Sequence, residues 1–214
     1  MKDIKYEAYN LFPTLVLKTN LDRNFTEEET NTLNDAYNEC KEDPQYEPTL
    51  PGLSKSVLGD TYVLNRTGFE RLRSEILVNI KNYFNEVWKP RDNIDIVMTQ
   101  SWINILNQGE YHPKHNHSNS IISGVLYIKT EKGAQISFDK SLNTQIQIES
   151  TEYNLYNSPT WTLDMEDMDL LIFPSTLSHW VPVKKHDGTR ISLSFNTWFK
   201  GTIGDYYHCT ELKA

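Results

Sequence analysis

Cysteine is nearly missing from this chain: Cys40 and Cys209 are the two present in 214 residues, far apart and outside any Cys-x-x-Cys pair. Without the flanks of a reactive nucleophile, two such thiols read as the reduced cysteines of a cytosolic protein. Long apolar runs are also lacking, and the start, Met1-Lys2-Asp3-Ile4-Lys5-Tyr6-Glu7, has no apolar signal-peptide core. A membrane span and a secretory leader are therefore not expected, and the protein is read as cytoplasmic. Positive charge is short, with 21 Lys and Arg against 29 Asp and Glu, a net charge of −8 and a pI of about 5.3. That balance argues against a broad basic surface for duplex DNA or anionic lipid and leaves a local basic groove open. No internal repeat or low-complexity tract is present. What remains, 38% hydrophobic, 12% aromatic and 23% charged residues, is the composition of a soluble globular protein, in a chain long enough for one domain and cramped for two.

Residues 11–19 have strand composition, with Pro13 opening the strand or keeping it near an edge. Thr26 and Glu29 form a capping box that leads a polar helix to about Cys40, and 42–60, with three prolines and two glycines, read as a loop. A second box, Thr67 to Glu70, opens the strongest helix. Its apolar stripe of Phe69, Leu72, Ile76, Ile80, Tyr83, Phe84 and Val87 runs at helical spacing until Pro90 and is expected to pack on a sheet. From residue 94 the texture changes to short strands at 94–106, 121–129, 134–138, 145–149, 160–164, 168–173, 179–183 and 190–199. The polar stretch 139–159 between them is a candidate lid. Helices followed by a run of strands predict an α+β chain: an N-terminal strand and supporting helices over 1–93, then a sandwich or barrel over 94–200, all in a single domain.

The chemistry concentrates in Tyr111–Tyr127, YHPKHNHSNSIISGVLY, where His112, His115 and His117 fall within six positions. On an extended backbone alternate side chains share a face, so His115 and His117 can converge on one ion. Imidazole suits Fe, Zn, Cu or Ni, so ligand type alone does not identify the metal. Downstream, His179 begins a strand, Asp187-Gly188 is a hairpin turn signal, and 190–199 is expected to return antiparallel to it. The returning strand separates Arg190, Ser192, Ser194 and Asn196 from Ile191, Leu193, Phe195 and Thr197. A polar face lining a small barrel would bring a histidine, a guanidinium and hydroxyls together, which suits a metal with an anionic co-substrate. Gln100, Trp102 and Asn104 share one face of 94–106. Asn104 is the best candidate there for a polar contact, while Trp102 and Tyr127 read as barrel packing.

His-x-His, then about sixty residues, His, about ten residues, and Arg-x-Ser resembles the Fe(II)- and 2-oxoglutarate-dependent oxygenases. The segments HNHSNSIISGVLYI, LLIFPSTLSHWVPV and RISLSFN are most similar to an oxygenase group of bacterial and cyanophage genomes that has His-x-His where the superfamily has His-x-Asp. The resemblance spans about residues 98–199. It implies a double-stranded β-helix (jelly-roll, cupin-like) core, Fe(II) as metal and 2-oxoglutarate as co-substrate. His115 and His179 would be iron ligands with His117 at the acid's position, and Arg190, supported by Ser192, would hold the distal carboxylate. The implied reaction couples oxidative decarboxylation of 2-oxoglutarate to oxidation, such as hydroxylation, of an unknown substrate. For a phage protein this would take place in the host cytoplasm.

Losing the carboxylate leaves three arrangements open: a working three-histidine site, a ligand from elsewhere such as His112, or a degenerate site. Asp139, Asp164 or Asp169 could supply a carboxylate only if the fold brought one near, and the sequence favours none of them. Two rival functions also fit the sequence. One is a cupin-like metal enzyme without 2-oxoglutarate, and the other is a non-catalytic jelly-roll module for binding or assembly. Exposed edge strands point to a homodimer.

Overall fold

A computed structural model describes residues 7, 9, 11–41, 55–57, 60–91, 93–131, 133–140 and 149–214. In chain order its elements are β1 (Leu17–Asn20), α1 (Glu27–Lys41), β2 (Lys55–Val57), a 3-10 turn (Val63–Asn65), α2 (Glu70–Trp88), β3 (Ile94–Leu106), β4 (His112–His115), β5 (Ile122–Lys129), β6 (Gln135–Asp139), β7 (Thr160–Asp164), β8 (Asp169–Pro174), β9 (His179–Val181), β10 (Arg190–Ile203) and β11 (Leu212–Lys213). Residues 141–148, which hold all but the last position of the expected strand at 145–149 and the middle of the candidate lid, lie outside the described residues, as does most of the 42–60 loop. Within that loop, 55–57 are β2, which pairs antiparallel with β3. Among the described residues no helix is long and apolar enough to cross a membrane.

Two antiparallel sheets face each other. The larger runs β1-β8-β5-β10-β3-β2, with β11 added to the end of β10, and the smaller runs β4-β9-β6-β7. Period-2 alternation sorts the larger sheet's side chains between its two faces. Leu126, Leu170, Ile172, Leu193 and Phe195 pack under the helices with Leu72, Ile76, Ile80, Tyr83 and Phe84 of α2. Their neighbours Val125, Tyr127, Leu171 and Phe173 pack between the sheets with Ile136 and Phe138 of β6. The α2 stripe thus covers the sheet as its spacing predicts, each fully buried side chain contributing roughly 1.5–3 kcal/mol of apolar burial. Val87, at its far end, is exposed.

Local signals hold in part. The Thr26 box forms: the Glu29 amide donates to Thr26 Oγ1 (3.1 Å) and the Thr26 amide to Glu29 Oε2 (2.9 Å). The box expected from Thr67 does not. The helix starts at Glu70 behind Phe69, and the Glu70 carboxylate accepts instead from the Gly68 amide at 2.8 Å. The first strand is confined to 17–20. Leu11 and Phe12 are exposed, Phe12 has φ of 59°, and Pro13 has no N–H to give a ladder.

The main correction concerns the hairpin around Asp187-Gly188. The turn is present, with Lys184 Nζ donating to the His186 and Asp187 carbonyls, but it does not join paired strands. β9 pairs with β4 and β6 in the smaller sheet, whereas β10 pairs with β3 and β5 in the larger one. The chain crosses between sheets here, because β10 carries an apolar face for the helix layer that a strand of the small sheet would leave bare.

Candidate metal centre

His115 closes β4 and lies directly opposite His179, the first residue of β9, with ring centroids 4.3 Å apart. His117 follows two residues beyond β4. Its amide donates to the Ser175 carbonyl at 3.0 Å, which turns the imidazole back beside His115. One ligating nitrogen from each of the three lies within 4.8 Å of the others, and the Nε2 atoms of His115 and His117 are 3.3 Å apart. The sharing of a face expected for His115 and His117 is realised, although only His115 is in a strand. His112 lines the same pocket, its ring 4.6 Å from that of His115, and stands outside the group of three.

Each of the three rings is held from behind. The Nδ1–H of His115 donates to the Pro113 carbonyl (2.8 Å), that of His179 to the Leu177 carbonyl (2.9 Å) and that of His117 to Asn196 Oδ1 (2.6 Å). An acceptor at Nδ1 fixes the tautomer, leaving Nε2 as a bare lone pair. Three lone pairs facing one another repel, and a cation among them removes the repulsion. Burial and the neighbouring imidazoles push His179 down to about 3 and His112, which also feels Arg190, to about 4. Burial likewise lowers His117, against the Asn196 hydrogen bond. The lowered values of His117 and His179 favour the neutral imidazole, the form that binds a metal.

Behind His117 lies a buried polar cluster that sequence reasoning did not single out. Asn196 Oδ1 also accepts from Ser123 Oγ (2.8 Å). The Ser123 hydroxyl continues to Ser175 (2.7 Å), and Ser175 to Ser120 (2.8 Å). Asn196 shares strand parity with Arg190 and Ser192, and that parity was the available signal. Of the three acids, Asp139 is ion-paired to Lys114 (2.5 Å), Asp164 accepts from Gln135 (2.8 Å) and Asp169 pairs with Lys18 (2.8 Å). None belongs to the cluster.

The floor of the pocket is a set of rows across β3, β10 and β5. Asn104, Ser192 and Tyr127 form one row, and Trp102, Ser194 and Val125 the next. Arg190 follows at the far end, 4.7 Å above the Tyr127 ring. Arg190 is 5% exposed and makes one protein hydrogen bond, to the Gln135 carbonyl at 3.3 Å, with no ion pair among the described residues. The Tyr127 hydroxyl is buried without a hydrogen-bond partner among the described residues. Two donors short of acceptors in one pocket fit a carboxylate ligand. Tyr127, read from the sequence as packing, therefore also brings a polar group to the site. Trp102 lines the pocket too, its ring 5.6 Å from His117. Asn104 donates to Ser194 Oγ at 2.9 Å, and Val125, Ile136, Phe173 and Val181 supply apolar walls.

Residues 100–196 match the family model described as putative 2OG-Fe(II) oxygenase. The fold is similar to that of an oxidoreductase of the 2OG-Fe(II) oxygenase family from Burkholderia pseudomallei, at 11% identity and a TM-score of 0.53 over 85% of this chain and 83% of that one. It is similar to HygX from Streptomyces hygroscopicus, solved with nickel and 2-oxoglutarate bound, at 10% identity and 0.54 over 86% and 82%. It is also similar to the epimerase SnoN, solved with Fe3+, alpha ketoglutarate and nogalamycin RO, at 11% identity and 0.55 over 88% and 81%. At these identities the likeness is one of fold, the double-stranded β-helix. No curated protein sequence matches the chain.

Proposed function

Since its residues 100–196 match the model of the putative 2OG-Fe(II) oxygenases, we propose that this protein is an Fe(II)- and 2-oxoglutarate-dependent oxygenase with a three-histidine metal site. His115, His117 and His179 hold the iron and Arg190 holds the co-substrate's distal carboxylate. The observation that carries the reading is the convergence of one ligating nitrogen from each of three histidines, all within 4.8 Å, in the same pocket as a buried guanidinium with no ion pair among the described residues. Bound iron would supply the oxidative decarboxylation of 2-oxoglutarate with dioxygen and the oxidation, such as hydroxylation, of a second substrate.

The chain's own residues have separate tasks. The Pro113 and Leu177 carbonyls and the Asn196 amide oxygen hold the three imidazoles in the metal-binding tautomer. Arg190 meets the carboxylate as a charge-assisted fork, with the Tyr127 hydroxyl and Ser192 beside it. Asn104 orients Ser194 at the pocket floor. The apolar walls keep bulk water out. The homodimer expected from edge strands is open to gel filtration.

Anaerobic titration of metal-free protein with Fe(II) and then 2-oxoglutarate, followed in the visible spectrum, tests the reading. A charge-transfer band of the chelated 2-oxo acid is expected in wild type and absent in His179→Ala. Iron binding without the band would favour the cupin-like alternative, and no iron binding would favour a module without this chemistry.

A further inference from the structure

Beyond Arg190 lies a second cavity, at the end of the barrel away from the three clustered imidazoles. It is walled by residues 133–135 at the start of β6, by residues 181–184 leaving β9 and by Leu106, the last residue of β3. It shares Leu106, Val181 and Arg190 with the histidine pocket. Its volume is about 20 Å3, against about 50 Å3 for that pocket, which is room for one small ion or a water molecule. Among the described residues no Asp or Glu lines it.

Two of the lining residues are cations. Arg190 is 5% exposed, and of the N–H donors of its guanidinium one reaches an acceptor among the described residues, the Gln135 carbonyl at 3.3 Å. Arginine has five such donors, so a carboxylate gripped as a fork from the histidine pocket would take two more and leave two without acceptors. Lys184 is 7% exposed. Its ammonium donates to the His186 and Asp187 carbonyls at 2.5 and 2.8 Å, which satisfy hydrogen bonds and bring no negative charge. Neither Arg190 nor Lys184 has an ion pair among the described residues. Buried cations without a counter-charge are costly, and an anion held by both removes that cost.

We propose that this cavity is a binding site for one small inorganic monoanion, chloride or an ion of similar size, held by Arg190 and Lys184. The site goes beyond the oxygenase reading and does not draw on it. It lies on the far side of the guanidinium from the three histidines and takes none of the positions around them.

Crystals of the full-length protein loaded with Ni(II) and soaked in bromide test this by anomalous diffraction. A bromide peak is expected in the cavity, against the Arg190 guanidinium, and should persist when 2-oxoglutarate is added to the soak. In solution, chloride should raise the melting temperature saturably, by roughly 2–4 °C over gluconate at equal ionic strength, because gluconate is too large to enter. Lys184→Met should lose that rise, and the wild-type diffraction stands whether or not this variant folds. A cavity that holds water alone overturns the inference, as does an undiminished chloride response in folded Lys184→Met. Bromide displaced by 2-oxoglutarate also overturns it, by making the cavity the end of the co-substrate pocket. A histidine pocket that stays without 2-oxoglutarate while bromide remains bound would count against the oxygenase reading and leave the anion site standing.

Discussion

Replacing Arg190 with Met should move stability and ligand binding in opposite directions. This guanidinium is buried, with a single hydrogen bond among the described residues, 3.3 Å to a carbonyl, and an aromatic face 4.7 Å away. Exchanging a poorly compensated buried charge for an apolar chain of similar length is worth about 3 kcal/mol. Loss of the cation–π contact with Tyr127 returns about 1 kcal/mol of that. The net gain of about 2 kcal/mol corresponds to a melting temperature roughly 4–8 °C higher for a chain of this size. Binding should change the other way. Removing one partner of a buried charge pair costs about 2–5 kcal/mol, so 2-oxoglutarate affinity should fall at least about thirtyfold. Differential scanning fluorimetry on Ni(II)-loaded protein reads both effects without oxidation. At 2-oxoglutarate about 100 times the wild-type Kd, wild type should gain about 2.7 kcal/mol and Arg190→Met less than about 1 kcal/mol. A variant that melts below wild type without 2-oxoglutarate, and keeps the full ligand-induced shift, would refute the assignment of Arg190 to the co-substrate.

The remaining predictions concern the metal, pH and packing. His179→Ala removes the most buried of the three imidazoles and should weaken Ni(II) or Co(II) by at least about tenfold, read by competition with a chromophoric chelator. In the metal-free protein His112 and His179 have folded pKa values depressed to about 4 and about 3, below the unfolded value, so the unfolded chain takes up the protons first. Stability is fully present above about pH 6.5 and is lost as pH falls toward those values. Urea melts should show a loss of roughly 2–3 kcal/mol between pH 7.5 and 5.5, and a flat profile over that window would contradict the burial of the two imidazoles. In Gly124→Ala the new Cβ would lie 2.3 Å from Phe195 Cζ and 2.5 Å from the Leu171 carbonyl oxygen, and backbone cannot yield as a flexible side chain can. A loss of about 1–3 kcal/mol is expected, visible as a lower melting temperature.

Local periodicity carried much of this protein in its sequence. The α2 stripe, the 94–106 strand and the alternation of Arg190, Ser192, Ser194 and Asn196 against Leu193 and Phe195 could be read directly, because side-chain facing in a helix or strand depends only on neighbours along the chain. The histidines and Arg190 were legible through residue type and spacing. The polar contribution of Tyr127 to the pocket was not, since a large aromatic on a barrel strand reads as packing until its hydroxyl is found buried with no partner among the described residues. Nor was the Asn196–Ser123–Ser175 cluster, whose members come from three separate segments.

Strand partners were decided by the tertiary structure. Asp187-Gly188 makes its turn whether or not the flanking strands pair, and the alternation of β10 is the same in either sheet. A turn signal acts over a few residues, whereas the choice of sheet depends on which apolar face the helix layer must cover. The sequence alone determined that His115, His117, His179 and Arg190 were the residues to watch. That His179 meets His115 across β4 and β9, while Arg190 closes the pocket from the opposite sheet, followed from how the two sheets bury their facing sides.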